Sequence, residues 1–319
     1  MDSAAFLEHL TTETDYQGQI VHVEHIPPRG AVYAQPDEPL AAAVEACLRQ
    51  HRMWPLYLHQ ALAVDHLKRG EQVMVATASA SGKTLCYHVP VLESVVIDRQ
   101  STALYLFPTK ALAQDQRRGL EELFCPALLK PGDFATFDGD TPGEERAVVR
   151  QKARIVLTNP DMLHVGILPN HQSWSRLLAN LKYVVVDEAH TYRGVFGSHV
   201  AGVLRRLRRL CRQYGAAPQF IACSATIANP GEHAARLVGL PFTVVAEDGS
   251  PQGGRDFVFW NPPLIDAAKS RRGSANSEAT HLFTELVHGH IRTLTFARTR
   301  RLTELIYRYA QDRLEGMAP

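Results

Sequence analysis

Cysteine is scarce in this chain and follows no ligand pattern: five residues, Cys47, Cys86, Cys125, Cys211 and Cys223, with no C-x-x-C pair among them. Four of the five stand in apolar runs, where reduced core thiols are usual, so the pattern predicts no disulfide and no zinc site. Long hydrophobic runs are missing as well. No stretch approaches the ~18 to 20 apolar residues that a membrane span needs, and residues 1–10 are acidic rather than basic-then-apolar. Neither a membrane segment nor a secretion signal is expected, and the protein reads as cytosolic, that is, cytoplasmic. An excess of charge of one sign is also lacking, because 34 Lys+Arg stand against 33 Asp+Glu for a net charge of +1. That balance excludes a global field advertising a polyanionic partner and leaves any nucleic-acid contact to local patches. Internal repeats and low-complexity tracts are absent from the sequence.

What is there has the balance of an ordinary globular protein, with 45% hydrophobic and 21% charged residues. A length of 319 residues suits one large α/β domain, or one domain plus part of another. One basic patch is visible, where Arg205, Arg206, Arg208, Arg209 and Arg212 crowd a predicted helix. On charge alone a solvated or salt-bridged helix face explains it equally well.

Along the chain, residues 1–40 are polar and punctuated by Pro27, Pro28, Gly30 and Pro36, and read as an extended lead-in with no chemistry. From residue 41 helices are expected at 41–51 and 57–69. Short β-branched runs follow at 72–76, 103–107, 154–157, 183–186, 219–223 and 242–245, with helical segments between them. This alternation predicts an α/β fold with a parallel sheet covered by helices on both faces, occupying 41–247. Residues 248–277 turn to Gly, Pro, Ser and Arg around one apolar strand at 257–260 and are read as a linker. Beyond it a helix (278–288), a strand (293–297) and a helix (298–314) form the opening of a second α/β unit, residues 278–319. Three elements cannot close and bury a sheet, so this part is expected to be incomplete, marginal or docked.

The chemistry starts where the strand at 72–76 runs into Thr77-Ala78-Ser79-Ala80-Ser81-Gly82-Lys83-Thr84 and then an apolar helix. A glycine-bearing loop between a buried strand and a helix N-terminus presents backbone N–H groups and positive dipole to phosphates. Lys83 adds a point charge for the β and γ groups, and the Thr84 hydroxyl can ligate magnesium. The first glycine of the general pattern is replaced by Thr77, and Ala80 stands where another is common. The strand at 183–186 ends in Asp187-Glu188-Ala189-His190, at the same C-terminal edge where open parallel sheets put their ligands. Asp187 suits the Mg²⁺ of a nucleotide, and Glu188 suits orienting and deprotonating an attacking water. An acidic turn capping the next helix is the plainer alternative. Ser224-Ala225-Thr226 also follows an apolar strand and marks a place where loss of a γ-phosphate can be felt and relayed, although alone it reads as a helix start.

Taken in order, the segments 56–60, 78–84, 108–112, 138–141, 158–164, 187–190 and 224–226 resemble those of a superfamily-two helicase of the DEAH-box kind. The likeness covers most of residues 55–230, and in that family Thr77 and Ala80 are ordinary loop residues. Within the group, 138–141, 158–164 and 191–200 are most similar to the YprA/MrfA-type bacterial DNA-repair helicases. The resemblance implies a RecA-like P-loop domain followed by the beginning of a second one, use of ATP and Mg²⁺, and 3′-to-5′ translocation on single-stranded or partly duplex DNA. It assigns Lys83, Asp187, Glu188 and His190 to catalysis, Gln60 and 77–84 to the nucleotide, and 224–226 to coupling.

The resemblance further implies that Gln60 reads adenine, which its bidentate amide suits, although as a lone residue it is more simply a polar position on an exposed helix face. Thr109, Lys110, Gly139, Thr158 and Asn159 are assigned to the nucleic-acid backbone. The pairs 109–110 and 158–159 sit where a strand gives way to a helix, so their hydroxyls and N–H groups are expected to face outward. Residues 293–301 resemble the first motif of a second motor lobe, where Arg298 or Arg300 meets phosphate. In the family that lobe supplies arginines to the γ-phosphate and a cysteine-rich zinc domain follows; neither appears by Pro319. The expectation is therefore that this chain binds ATP, hydrolyses it poorly and unwinds nothing, since such an arginine is worth roughly 10³ to 10⁵ in rate. Two other classes stay open: a P-loop protein with no polynucleotide, against which the 108 and 158 segments argue, and a catalytically idle binding module.

Overall fold

The computed structural model describes residues 3–124, 127–266, 268 and 271–317. The chain divides into two compact units, one formed by Met1–Arg29 with Gln252–Pro319 and the other by Gly30–Pro251.

The Gly30–Pro251 unit is built on seven strands in the spatial order Thr243–Val245, Val73–Ala76, Gln219–Ser224, Leu181–Val186, Thr102–Leu106, Ile155–Thr158 and Phe134–Thr136. Every neighbouring pair is parallel. The expected α/β class is therefore present, with the strands near the positions read from the sequence and one further strand at Phe134–Thr136. Residues in four of the strands are buried throughout or nearly so, as the continuous apolar runs require when helices cover both faces. Alternation along each strand divides the core into two layers. Val73, Val75, Ala103, Tyr105, Ile155, Leu157, Ile221 and Cys223 belong to one, whereas Met74, Leu104, Leu106, Val156, Phe220 and Ala222 belong to the other. The helices Leu58–Lys68, Thr84–Ile97 and Lys110–Phe124 contribute to the first layer, and Gly194–Gln213 and Pro230–Val238 to the second.

The basic helix Gly194–Gln213 shows where two of its arginines go. Arg205 Nη2 donates to Arg236 O at 2.9 Å, and Arg208 Nη1 donates to Val238 O at 3.0 Å and Gly239 O at 2.9 Å. Both thus cap the last carbonyls of the Pro230–Val238 helix, where cations also complement its dipole. Of the five cysteines, Cys47, Cys86, Cys211 and Cys223 are buried free thiols, and Cys125 lies outside the described residues. Burial pushes the Cys211 thiol up to about 12.

The other unit corrects the reading of residues 1–40 as an extended lead-in. It opens with a helix, Ser3–Thr12, and then a strand, Ile20–Ile26, paired antiparallel with Arg255–Trp260 in the register Ile26↔Arg255 to Ile20↔Trp260. The second strand falls inside the stretch expected to be a linker. The two helices Ala275–His288 and Arg300–Met317 complete the unit and pack on each other. Residues 293–297, expected as a strand, pair with no other strand among the described residues, and Leu294 and Phe296 are exposed. A strand is defined by the neighbour that receives its hydrogen bonds, so β-propensity alone does not make one. Among the described residues no helix is long and apolar enough to cross a membrane.

Candidate functional site

Parallel strands bring their C-terminal ends to one edge. The central Gln219–Ser224 strand lies between the strand leading to the phosphate loop (Ala76↔Ser224) and the strand leading to the acidic pair (Val186↔Ala222). Segments remote in the sequence, at 77–84, 187–190 and 224–226, are therefore neighbours.

The 77–84 loop is folded tightly on itself. Thr77 Oγ1 and Ser81 Oγ lie 2.7 Å apart, and both side chains are buried. Ala80 and Gly82 take positive φ angles of 60° and 81°, which turn the chain sharply enough for the Thr84–Ile97 helix to begin at the loop's end. Lys83 Nζ donates back to Ala78 O at 2.7 Å and Thr77 O at 3.2 Å, so the ammonium is held over the loop's own carbonyls. Ser79 and Ala80 are exposed at the rim.

Gln60 is buried, not on an open helix face as its residue type alone indicated. Its Oε1 accepts from Tyr57 N at 2.9 Å, and its Nε2 donates to Gly82 O at 2.9 Å. A side-chain amide has two N–H groups and two lone pairs, so one of each remains for a ligand. Tyr57, beside Gly82, stacks on Tyr33 with ring centroids 5.4 Å apart. Tyr57 lies in the 56–60 segment marked by the resemblance, but Tyr33 and the pairing of the two rings were not read from the sequence, because the residues belong to separate short strands, Tyr33–Ala34 and Leu56–Tyr57.

At the acidic strand end, Asp187 Oδ1 accepts from Glu188 N at 2.8 Å and Oδ2 accepts from the Tyr87 hydroxyl at 3.1 Å. Tyr87 Oη is also 3.1 Å from Gln116 Oε1. Burial raises the Asp187 carboxyl pKa, and the hydrogen bonds from Glu188 N–H and Tyr87, with the positive charge of Lys83, offset this only in part. A carboxylate so placed is short of positive charge, which a divalent cation supplies. Glu188 sits at φ 49°, a left-handed conformation uncommon for a side-chain-bearing residue and costly enough to mark a constrained turn. His190 Nδ1 lies 3.2 Å from Glu188 Oε2 and 3.3 Å from Ser224 Oγ, so one imidazole links the acidic turn to the next strand end. Ser224 is buried, whereas Thr226 is exposed and Ala225 half-buried.

Further along the same edge, the segments at 109–110 and 138–141 meet. Lys110 Nζ is 2.7 Å from Asp140 Oδ2, and Gly139 lies beside that ammonium. Thr109 Oγ1 accepts from Leu112 N at 3.3 Å, capping the helix that follows. The 138–141 turn is clamped by Arg146, which donates to Thr141 O and Asp138 O at 2.9 Å each; no sequence signal pointed to this arginine. Thr158 corrects the expectation that its hydroxyl faces outward. It is buried, and its Oγ1 donates to Phe137 O at 2.5 Å, because the last residue of the strand still points into the layer beneath. Asn159 Oδ1 accepts from Met162 N at 2.8 Å as a helix cap. Arg298 belongs to the other unit, exposed just before the Arg300–Met317 helix.

Comparisons with known proteins cover the segment that carries this edge. The profile of the DEAD/DEAH box helicase family matches residues 57–233. The chain is 45% identical over 306 residues to the uncharacterized ATP-dependent helicase YprA of Bacillus subtilis, covering 96% of this chain and 41% of that protein. It is 41% identical over 310 residues to the ATP-dependent helicase HRQ1 of Saccharomyces cerevisiae, covering 96% of this chain and 28% of that protein. Among solved structures, the DUF1998 helicase MrfA bound to DNA and AMPPNP superposes with a TM-score of 0.91 at 43% identity, over 98% of this chain and 43% of that one. The chain thus spans less than half the length of these relatives. From the phosphate loop to the Ser224 strand end, the residues of the edge lie within the matched segment, and the chain belongs to the DEAD/DEAH box helicase family.

Proposed function

We propose that the Gly30–Pro251 unit is the ATP-binding motor half of an ATP-driven DNA helicase, which moves 3′ to 5′ on single-stranded or partly duplex DNA in repair. The observation that carries the reading is the convergence on one sheet edge of the strand ends that lead to Lys83 and Asp187, which flank the Gln219–Ser224 strand on its two sides. The donor set fits ATP with magnesium: a loop of backbone N–H groups, an ammonium, the Thr84 hydroxyl and a cation-seeking carboxylate. Bound there, Mg²⁺ would neutralise charge on the phosphates.

In this reading Lys83 exchanges its loop carbonyls for phosphate oxygens, and Thr84 and Asp187 hold the metal. Glu188 orients and deprotonates water, with His190 keeping its carboxylate in place and passing the state of the site to Ser224 and so to 225–226. Gln60 uses its remaining N–H and lone pair on the adenine edge, and the Tyr57–Tyr33 stack offers a flat face for the base. Thr109, Lys110, Gly139 and Asn159 form a strip for the DNA backbone, with Thr158 holding the 137–141 segment rather than touching the strand. Such contacts set register and read no sequence. Arg298 serves the opening of a second motor lobe.

The test is ATP and single-stranded DNA binding by this chain, its Lys83→Ala variant and its Lys110→Ala variant. Lys83→Ala should abolish nucleotide binding with the circular dichroism spectrum unchanged. DNA binding should weaken steeply as salt rises, with a shallower salt slope in Lys110→Ala. Full ATP affinity in Lys83→Ala, or DNA binding indifferent to salt, would end the proposal.

A further inference from the structure

We propose that the unit formed by the two ends of the chain carries a binding site for a divalent first-row transition ion of the zinc class, held by His9, Glu13 and Glu285. His9 lies on the Ser3–Thr12 helix with Glu13 one turn on, and Glu285 lies on the Ala275–His288 helix. Donor atoms of the three residues fall within 4.8 Å of one another. His9 Nε2 is 3.5 Å from Glu13 Oε1 and 3.6 Å from Glu285 Oε2. In a tetrahedral zinc site with bonds of ~2.0 to 2.1 Å, adjacent ligand atoms stand roughly 3.3 Å apart, so the two spacings from His9 are within a few tenths of an ångström of that value and the third, between the carboxylates, lies within 4.8 Å and closes by side-chain rotation. An imidazole with two carboxylates is a set of the nitrogen and oxygen donors that zinc accepts.

The surroundings resemble those of metal ligands in general. The second carboxylate oxygen of Glu13 is 3.0 Å from His281 Nε2, so His281 can donate to it and hold the carboxylate with its other oxygen toward His9. Hydrogen-bonded support of this kind orients ligating carboxylates. Glu13, His281 and Glu285 also line a cavity of about 670 Å³ with Asp15, Tyr16 and Trp260, which leaves room for water to complete the shell. Glu285 is 11% exposed and Glu13 20%, so both carboxylates are largely withdrawn from solvent beside the His9 and His281 imidazoles, and Arg313 lines the same cavity. The cysteine pattern carried no hint of this site because it bears only on sulfur ligands. A bound ion would tie residues 9 and 13 to residue 285 and fasten the first helix of the chain to a helix near the other end.

The test is titration of the metal-stripped 319-residue chain with zinc chloride by calorimetry, with magnesium chloride as a control and thermal melting as a second readout. Glu13→Gln, Glu285→Gln and His281→Ala are compared with His22→Ala, which removes an exposed histidine 3.4 Å from Glu24 outside the cluster. One equivalent of zinc is expected, with a higher Tm. Affinity should fall about ten- to a hundredfold in His281→Ala and at least as much in either glutamine variant, and stay unchanged in His22→Ala. The glutamine variants keep side-chain volume, and melting in the presence of chelator shows that they fold. Zinc binding that survives Glu13→Gln and Glu285→Gln, or no binding by the parent chain, overturns the proposal.

Discussion

The hydroxyl of Tyr87 donates to Oδ2 of Asp187 across 3.1 Å, joining the helix that leaves the phosphate loop to the strand end that bears the acidic pair. The tyrosine is fully buried, with its ring edge-on to Tyr105 at 5.3 Å. Its phenol has little freedom to follow a carboxylate that moves. Tyr87 therefore holds one oxygen of Asp187 and Glu188 N–H holds the other, and the carboxylate is positioned before any ligand arrives.

Tyr87→Phe keeps the ring packing and removes that donor. A hydrogen bond to a charged group is worth about 1.5 to 3 kcal/mol, so magnesium-dependent nucleotide affinity should fall by about tenfold or more with little change in Tm. Nucleotide binding measured across a magnesium series checks this; an unshifted magnesium midpoint would count against it.

Gly82→Ala should disturb the loop in two ways. The alanine would occupy φ +81°, and its Cβ would stand 2.8 Å from Gln60 Nε2. The left-handed conformation alone costs about 1 to 2 kcal/mol, and the clash pushes the Gln60 amide from Gly82 O. Nucleotide affinity is expected to drop about tenfold. The loss should be smaller in a Gln60→Ala background, where the clash is gone. A double-mutant cycle giving simple additivity would show that the two residues do not meet in the working loop.

His88 makes the fold acid-sensitive. Its side chain is buried with Nδ1 3.1 Å from Tyr105 Oη, and burial pushes its pKa down from 6.5 to about 3, against a hydrogen bond to Gln116 that raises it. Above pH 6.5 both folded and unfolded chains hold a neutral imidazole. As pH falls from 6.5 towards 3 the unfolded chain takes up a proton that the native state refuses, so stability declines by up to ~1.4 kcal/mol per pH unit. Urea unfolding of the parent and His88→Gln between pH 7 and 4 should show a flatter dependence for the variant. Parallel curves would exclude His88 as a source of the acid sensitivity.

The pair Arg154 and Asp133 supplies stability with the opposite protonation state at stake. Arg154 donates to Asp133 Oδ2 at 2.8 Å and to Oδ1 at 3.3 Å, and a third N–H reaches Val95 O at 2.9 Å. Burial raises the Asp133 pKa, but the hydrogen bonds from Arg154 and from Lys130 N–H outweigh it and hold the carboxyl below its usual 3.8. The contribution is present in full above pH 3.8 and is lost as pH falls through the depressed folded value. Arg154→Ala should cost about 2 kcal/mol at pH 7, the worth of a hydrogen bond to a charged group, and less in acid once Asp133 is protonated. Chemical denaturation at the two pH values measures this, and an equal loss at both would contradict it.

Much of the site was readable because its parts are local. The 77–84 loop, the 187–190 turn and the strands before them each lie within about ten consecutive residues, and apolar runs of that length report burial directly. Gln60 was named by resemblance, yet nothing in a helical segment announces that its amide spans to Gly82 O. Tyr87 and Gln116 were missed for a related reason: each acts on a residue brought close only by the packing of helices on the parallel strands. Arg146 was missed although its partners are only five and eight residues away, because an arginine early in a helix carries no sign that it folds back on the preceding turn. Thr158 was misjudged through its position at a strand end, where the side-chain direction depends on which layer the alternation has reached. The Ile20–Ile26 strand was read as lead-in because its partner, Arg255–Trp260, lies more than two hundred residues away.

The amino-acid sequence by itself determined that strands and helices alternate through the larger unit and which strand ends carry an ammonium, a carboxylate pair and small hydroxyls. Those properties depend on side-chain type and on periods of a few residues. The tertiary structure alone decided that Lys83, Asp187 and Ser224 share one edge, that Tyr87 holds Asp187, and that the two ends of the chain build a unit together. Such pairings depend on strand order and helix docking. These are set by how the whole apolar surface is buried rather than by any short stretch of residues.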